Sequence, residues 1–409
     1  MDTFKKLLPW MAVLTLSLIV LSGCTKKNNL TGNNFSDVQA QTISDSEGIT
    51  MGFSYPADTL RTISGSEVKL LAGNYNNATA ISYMRFTGLP RRSTFDMVDS
   101  CYVTLKLLKR STEPRTPLRL QLYKIMRTWN DTLSVFTEAD LQPLITSEIE
   151  VPADLSLIGE EVKIPLSYES VFGYETGADS TGWNLAVKAV NSGWVELASA
   201  ETIYGPNLSF KYKTTDATTY SAYKMEAVKD SYTFSAPEAV ESEAWKISNI
   251  SPTRLFIKFI PNYSLFRNTD GSPLNAVDLK RLTINKATLV LHTKENPYYS
   301  GTSTFSLFPF NVTRDSVNDL TSLVKSDYEI LLYTITNNGL VYDDSLMVDI
   351  TPLIQAYTSG DRQPKGIVIQ SLQERQNFAE LEFWDCFAGT PGDKKPYIRV
   401  TYTAPYLKQ

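Results

Sequence analysis

The sequence predicts an all-β protein with two tandem jelly-roll-like antiparallel β-sandwiches, each with a short helix, after a signal peptide and a flexible tether. Apolar and polar residues alternate along many segments, which is the period of a half-buried strand. Collinear sequence matches relate the two halves of the chain and indicate an internal repeat. Tyrosine, phenylalanine, proline and glycine are frequent, as in antiparallel proteins with many turns.

The amino-terminal segment has the form of a signal peptide. Lys5 and Lys6 precede an apolar run from Leu7 to Leu21, which is shorter than the ~20 residues that a membrane-spanning helix needs. The run ends in Leu21-Ser22-Gly23-Cys24, which resembles the lipobox of bacterial lipoproteins, where the cysteine thiol is acylated. We therefore expect a signal peptide at 1–23 and lipid attachment at Cys24. An ordinary secretory peptide, or an uncleaved anchor with an incidental cysteine, is the alternative.

The expected lipid anchor determines the predicted location. Several acyl chains hold a protein on a membrane almost permanently, so a chain attached at Cys24 is tethered to the membrane and does not span it. The polar residues that follow, up to Gly48, predict a flexible tether at 24–48. We expect an outer-membrane location, and the sequence leaves open whether the protein faces the periplasm or the cell surface.

Composition excludes several partners and cofactors. With 39 basic and 44 acidic residues the net charge is −5, so the chain offers no basic surface for nucleic acid. His292 is the only histidine, so zinc centres that need two histidines lack their ligands. We predict no cofactor. A structural calcium ion stays open, because the segments 268–271 and 342–344 are rich in oxygen ligands, although an Asp-Gly turn also explains the first.

Alternating residues predict strands in both halves of the chain. Val103, Leu105 and Leu107 interleave with polar residues, which is typical of a strand with one buried face. The same pattern occurs at Leu118, Leu120 and Leu122, at Leu289 and Leu291, and at Ile398 and Val400. In the second half, Thr351-Pro352 predicts the start of a short helix, with Gly360 just past its end.

The internal repeat predicts the domain organisation. The matched segments are 161–166 with 347–353, 182–187 with 366–369, 194–197 with 378–381, and 208–212 with 398–402. We therefore predict β-sandwich repeats at 49–214 and 231–409, joined by a linker at 215–230. Glu196 and Glu380 occupy equivalent places in the two repeats, which favours a shared structural task such as pairing with a cross-strand lysine or arginine.

The repeats resemble the DNRLRE domains, which occur in cell-surface proteins and are related to a family of carbohydrate-binding modules. The resemblance rests on Ser82–Phe86, Val103–Leu107, Leu122–Lys124 with Trp129-Asn130, Ala198–Glu201 followed by Pro206, and Val348–Gly360. The second repeat departs from it at Phe308–Thr313, where a Trp-Asn or Trp-Glu pair is expected. The resemblance implies a jelly-roll fold with glycan binding or adhesion, and it assigns no sugar-contacting residue.

No set of residues predicts catalysis. A serine triad needs a histidine base, but His292 lies in a predicted strand, on the face opposite Leu289 and Leu291. Cys101 and Cys386 are expected to be apolar packing residues. A glycosidase needs two carboxylates at a defined separation, which a sequence with 44 acidic residues does not exclude. We nevertheless predict that the protein is not an enzyme.

Tryptophans are the sequence-based candidates for ligand binding, because aromatic faces stack on sugar rings. Trp183 and Trp194 match apolar residues in the second repeat and are expected in the core. Trp129, Trp245 and Trp384 are the remaining candidates, with core packing as the alternative for each.

The sequence therefore favours a non-catalytic cell-envelope lipoprotein whose sandwiches bind a polymer, foremost a glycan, or an envelope partner protein. A structural or assembly protein of the outer membrane without a small ligand is the alternative, and a glycan-processing enzyme is a third hypothesis. Exposed aromatic residues on a sheet would favour the first, a large flat apolar patch the second, and two facing buried acids the third.

Overall fold

The computed structural model describes residues 40–57, 67–88, 97–111, 114–127, 136, 138–154, 156–167, 182–239, 242–294, 307–313, 328–330, 345–387 and 389–405. Strands make up 56% and helices 7% of the described residues, and the sheets are antiparallel, which confirms the predicted all-β sandwich fold. The signal peptide, Cys24 and most of the predicted tether lie outside the described residues. No helix in the described part of the chain is both long and apolar enough to cross a bilayer.

The strands fall into two sets along the chain. The first thirteen are β1 (Gln41–Asp45), β2 (Ile49–Pro56), β3 (Lys69–Tyr75), β4 (Ala78–Thr87), β5 (Met97–Arg110), β6 (Leu118–Ile125), β7 (Leu141–Val151), β8 (Glu161–Pro165), β9 (Gly182–Ala189), β10 (Gly193–Ala198), β11 (Asn207–Lys213), β12 (Ser221–Glu226) and β13 (Lys229–Ser235). The rest are β14 (Trp245–Ser248), β15 (Thr253–Phe259), β16 (Thr283–His292), β17 (Leu307–Val312), β18 (Tyr328–Ile330), β19 (Ser345–Asp349), β20 (Ile367–Ser371), β21 (Glu380–Phe383) and β22 (Tyr397–Thr403).

The first sandwich contains β3 to β13 in two layers. One layer has the order β13-β4-β9-β6-β7. In the other, β5 pairs with β8, β10 and β11, while β12 lies beside β11 and β3 beside β10. Alternate residues of both layers, such as Leu105, Leu208, Leu120 and Leu185, meet in one buried core.

The second sandwich repeats this arrangement. One layer has the order β1-β22-β16-β19, and the other contains β2-β15-β20-β17-β18 with β14 and β21 at its side. β16 pairs with β19 and β22 as β5 pairs with β8 and β11, and β15 pairs with β20 as β4 pairs with β9. The matched sequence segments thus lie on strands at equivalent positions in the two sandwiches.

Two strands complete each sandwich, and the two sandwiches take them from different parts of the chain. β12 and β13 follow β11 directly and complete the first sandwich by pairing with β11 and β4. The equivalent places in the second sandwich are taken by β1 and β2, which pair with β22 and β15. The described residues between 67 and 239 therefore form the first sandwich, and those between 242 and 405 form the second together with the amino-terminal hairpin at 40–57.

The predicted domain boundaries were wrong in three places. Residues 41–45, assigned to the tether 24–48, form β1, and 49–56, assigned to the first repeat, form β2 of the second sandwich. Much of the predicted linker 215–230 belongs to the β12–β13 hairpin of the first sandwich. The alternating pattern shows which face of a strand is buried, but it does not show which strand lies beside it.

The β1–β2 hairpin is fixed to the second sandwich at its turn and along β2. The buried Asp45 carboxylate accepts hydrogen bonds from the backbone N–H groups of Gly48 and Asn262, each at 2.8 Å. Gly52 lies so close to the Trp245 ring that a Cβ atom there would be 2.3 Å from a ring carbon. The absence of a side chain at Gly52 therefore lets β2 pack directly on the indole.

Two described α-helices belong to the second sandwich, α1 (Ala276–Lys280) and α2 (Thr351–Ser359). As predicted, α2 has Pro352 in its first turn and ends at Gly360, which has a left-handed φ of 82°. Thr351 does not cap the helix; its hydroxyl accepts a hydrogen bond from the Ala287 N–H of β16. The segment of the first sandwich that corresponds to α2 lies outside the described residues, so the predicted second helix is not tested.

Two buried apolar residues of the second sandwich, Ile250 and Phe378, pack into the core of the first. Phe378, in the loop between β20 and β21, is 3% exposed and packs into the core of the first sandwich. Its ring centroid lies 6.2 Å from that of Trp194 and 4.9 Å from that of Phe234. On the side of the second sandwich, a buried ion pair between Arg254 and Glu374, 3.2 Å from Nε to Oε1, holds the same loop.

Candidate functional site

The structure describes two of the three candidate tryptophans, Trp245 and Trp384. Trp129 lies outside the described residues. Trp245 is completely buried, so its prediction as a ligand-binding residue is corrected: it pairs with Phe383 across β14 and β21, and its ring faces the core beside Ile247. Trp183 and Trp194 are buried in the first core, as predicted.

Trp384 keeps part of its surface exposed, at the end of β21. The Lys294 ammonium lies 5.4 Å from the centroid of the indole ring, which is the range of a cation–π contact. Lys294 also forms an ion pair with Glu382 at 3.1 Å, and the backbone N–H of Trp384 donates to the His292 carbonyl. The ring is thus held at the sheet edge with a lysine beside it, and it remains a candidate for ligand contact.

A second aromatic surface lies on the first sandwich and was not singled out from the sequence. Val103 and Leu105 of β5 point into the core, so Tyr102 and Lys106 project from the outer face of the sheet. Lys163 of β8 lies opposite Thr104 on the same face. We call Tyr102, Lys106, Lys163 and Tyr204 the tyrosine–lysine face.

Lysine ammonium groups lie against both tyrosine rings of this face. The Lys106 Nζ is 3.4 Å from the centroid of Tyr204, and the Lys163 Nζ is 4.8 Å from that of Tyr102. Tyr204 belongs to the loop between β10 and β11 and is 48% exposed. These contacts limit the movement of both rings while leaving the Tyr204 ring accessible to a ligand.

The tyrosine–lysine face is locally basic in an acidic protein. The outward positions of the paired segments 102–106, 161–165, 207–211 and 222–226 carry four lysines and two glutamates. The lysines are Lys106, Lys163, Lys211 and Lys224, and the glutamates are Glu161, opposite Lys106, and Glu226, opposite Asn207. The face therefore combines an accessible aromatic ring with an excess of ammonium donors, although the whole chain has a net charge of −5.

The equivalent face of the second sandwich has different chemistry. On the outward positions of β16 and β19, Thr288 lies opposite Asp349 and Val290 lies opposite Met347, where β5 and β8 have Thr104 opposite Lys163 and Lys106 opposite Glu161. The two sandwiches thus share their core pairings but differ in the side chains of this outer face. On this face the second sandwich instead has Tyr397, with the Arg399 guanidinium carbon 5.5 Å from its ring centroid, so the tyrosine–lysine contacts belong to the first sandwich.

The matched glutamates have a structural role. Glu196 forms an ion pair with Lys69 at 2.8 Å, and Glu380 forms one with Lys246 at 2.7 Å. Both lysines lie on the strand that pairs with the strand of the glutamate, as the sequence predicted. Ser248 also donates to Glu380 at 2.7 Å. Each carboxylate is therefore paired within its own sandwich, and Glu380 also accepts a hydrogen bond at 3.5 Å from the Asn76 amide of the first sandwich.

The catalytic candidates have no arrangement for nucleophilic chemistry. His292 lies on the outer face of β16, as predicted from parity, with its ring 6.1 Å from that of Tyr397. Burial raises the pKa of the Cys101 thiol to about 12, so it stays protonated at neutral pH. Burial also raises the pKa of Cys386, and a protonated thiol is a poor nucleophile.

One of the two oxygen-rich segments is described and forms a turn. The Asp270 carboxylate accepts hydrogen bonds from the N–H and the hydroxyl of Ser272, and Gly271 has a left-handed φ of 84°. This is the turn geometry that an Asp-Gly pair favours without a metal. The segment 342–344 lies outside the described residues. In the described ranges, no three histidine, cysteine, aspartate or glutamate side chains are grouped as metal ligands.

A scan against protein-family models finds no match for this chain, and a search of curated proteins finds no similar sequence.

Proposed function

We propose that this chain is a non-catalytic, lipid-anchored protein of the outer membrane whose first sandwich binds a polymeric glycan on the tyrosine–lysine face. The observation that carries the proposal is the half-exposed Tyr204 ring, a loop residue that lies 3.4 Å from the ammonium of Lys106 on β5. Aromatic rings stack on the C–H face of sugars, and ammonium groups donate to their hydroxyl or carboxylate oxygens.

The shape of the site suits an extended ligand. Tyr102, Thr104 and Lys106 alternate along the outer face of β5. Thr104 is buried between them, and Tyr102 and Lys106 lie about 13 Å apart along the strand. Ser209 and Lys211 continue the polar surface on the neighbouring strand β11. A flat row of donors and rings contacts several units of a chain at once, whereas a small molecule is usually enclosed in a cavity.

Sequence features support the envelope location and the ligand class. The Leu21–Cys24 segment resembles a lipobox, which supports a lipid anchor at Cys24. The resemblance of both repeats to DNRLRE domains supports binding or adhesion to a glycan.

A glycan array tests the proposal. The soluble chain from Thr25 to Gln409 should bind at least one polysaccharide, and acidic chains should bind more tightly than neutral ones because of the lysines. Tyr204→Ala and Lys106→Ala should each weaken binding about tenfold, since one ring contact or charged hydrogen bond contributes about 1.4 kcal/mol. Tyr220→Ala is the matched control, because Tyr220 is 47% exposed but lies outside the face.

Two results would contradict the proposal. A uniformly silent array would favour the structural or assembly alternative. Binding that depends on Trp384 but not on Tyr204 would move the site to the second sandwich.

A further inference from the structure

We propose that the lipid anchor is attached to the second sandwich through the β1–β2 hairpin, so that the second sandwich lies next to the membrane and the first projects outward. This order is the reverse of the order of the two repeats in the sequence. The inference rests on the lipid anchor of the proposed function, and it adds which sandwich presents the glycan-binding face.

The first strand after the expected tether, β1, belongs to the second sandwich. β1 pairs with β22 over five residue pairs, from Gln41 opposite Tyr402 to Asp45 opposite Ile398. At its first residue, the Gln41 side chain accepts a hydrogen bond from the Tyr402 hydroxyl at 2.8 Å and donates to the Asn268 carbonyl at 3.2 Å. The chain therefore becomes part of the second sandwich where the tether ends.

The hairpin is an integral part of that sandwich. β2 pairs with β15 along most of its length and buries Ile49 in the second core. β12 and β13 occupy the equivalent places in the first sandwich, so both edge positions of the first sandwich are already filled by its own strands. The strands of the first sandwich that correspond to β22 and β15, namely β11 and β4, thus already pair with β12 and β13.

Chain length limits how far the second sandwich lies from the lipid. Sixteen residues, 25–40, separate Cys24 from β1. They span at most about 55 Å when fully extended and about 22 Å as a random coil. The first sandwich is linked to the anchor only beyond the hairpin, through the residues after Ala57 and through contacts such as those of Ile250 and Phe378.

Cysteine cross-linking in the soluble chain tests the attachment of the hairpin. Thr42 and Thr401 lie opposite each other, with their hydroxyl oxygens 3.0 Å apart. The pair T42C/T401C should form a disulfide on mild oxidation, seen by mass spectrometry of the linked peptides. The pair A222C/K211C occupies the equivalent place in the first sandwich and is the positive control.

The pair T42C/K211C asks whether β1 instead lies beside β11 of the first sandwich. It should remain reduced under the same conditions. A disulfide in T42C/K211C, or none in T42C/T401C while A222C/K211C reacts, would overturn the inference.

Vesicles test the order of the sandwiches relative to the membrane. The lipidated full chain is placed in liposomes with a headgroup quencher, with Cys386→Ser in every variant and a fluorophore on either T401C or K211C, which are equivalent outward positions. Quenching should be at least twofold stronger at position 401, and stronger quenching at 211 would overturn the proposed order.

The outcomes separate this inference from the proposed function. If the wild-type chain does not float with the vesicles, the lipid anchor is wrong and the inference falls with it. If the chain binds no glycan, the proposed ligand is wrong, but the expected cross-links and quenching stay the same.

Discussion

At the scale of single residues, the same ion pair occurs in both sandwiches. Lys69–Glu196 and Lys246–Glu380 each join neighbouring strands at equivalent positions, which accounts for the matched glutamates in the sequence. The side chains of the first pair are 23% and 13% exposed, so solvent screens part of the attraction. The pairs are therefore framework contacts of modest energy.

A double-mutant cycle checks this interpretation. Lys69→Gln and Glu196→Gln, alone and together, should give a coupling free energy of about 1 kcal/mol or less, measured by urea unfolding. Arg119–Glu148 is the comparison pair, since it is longer, at 3.4 Å, and more exposed, and its coupling should be smaller. A coupling above about 3 kcal/mol would show that the pair is more than a surface contact.

Asp230 introduces a pH dependence at the β13 strand. Its carboxylate is 3% exposed and accepts a hydrogen bond from the Ala200 N–H. Burial raises its pKa from the usual 3.8 to about 7, and the nearby Glu201 carboxylate adds to the rise. The folded state therefore keeps a proton between pH 4 and pH 7 that the unfolded state has released.

Because the folded state binds more protons in that window, stability should fall as the pH rises from about 4 to 7, by up to about 4 kcal/mol from this group. Asp230→Asn, whose carbonyl still accepts from Ala200, should abolish this fall and be more stable than wild type at pH 8. Thermal unfolding at several pH values measures the change in stability. Asp216→Asn, at an exposed position, is the control. If stability depended on pH in the same way in Asp230→Asn and in wild type, the Asp230 carboxyl would not be the group that causes the fall.

At the scale of elements, the β1–β2 hairpin depends on the contact between Gly52 and Trp245. β2 lies directly over the indole ring, and no side chain fits between them. The buried Trp245 ring thus packs under β2. Because β2 covers the ring, Trp245 is not accessible to a ligand.

Gly52→Ala should destabilise the second sandwich by about 2–3 kcal/mol, because the new methyl group overlaps a ring that is buried and cannot move away. Urea unfolding measures the loss of stability, and proteolysis of the amino-terminal segment shows whether the loss is located at the β1–β2 hairpin. Gly392→Ala is the matched control, since a Cβ there meets nothing within 4 Å. Equal stability of the two variants would refute the close packing of β2.

At the scale of the whole molecule, Phe378 couples the two sandwiches. The residue belongs to the second sandwich by sequence and to the first core by contact. Its loop is held by the buried Arg254–Glu374 pair, so movement of one sandwich would cost contacts in both. We expect wild-type unfolding to be one cooperative transition in calorimetry.

Phe378→Ala should remove about 3–5 kcal/mol of packing energy and split the calorimetric transition into two, one for each sandwich. Phe387→Ala is the control, because Phe387 is 43% exposed and contributes little burial. A single, unshifted transition in Phe378→Ala would show that the sandwiches are coupled by other contacts.

The sequence alone determined the fold class and much of its local detail. The alternation of Val103, Leu105 and Leu107 predicted a strand with one buried face, and Pro352 and Gly360 predicted the limits of α2. These predictions succeed because burial alternates with the local period of the backbone and because helix ends use local chemistry. The parity that placed Tyr102 and Lys106 on one face was also present in the sequence.

Only the tertiary structure decided which strands are neighbours. The pairing of β1 with β22 joins residues more than 350 positions apart, and no local period encodes such a contact. The same holds for the burial of Trp245 under β2 and for the approach of Tyr204, a loop residue, to Lys106. Long-range packing, which depends on the whole set of strands at once, therefore fixed both the closure of the second sandwich and the assembly of the tyrosine–lysine face.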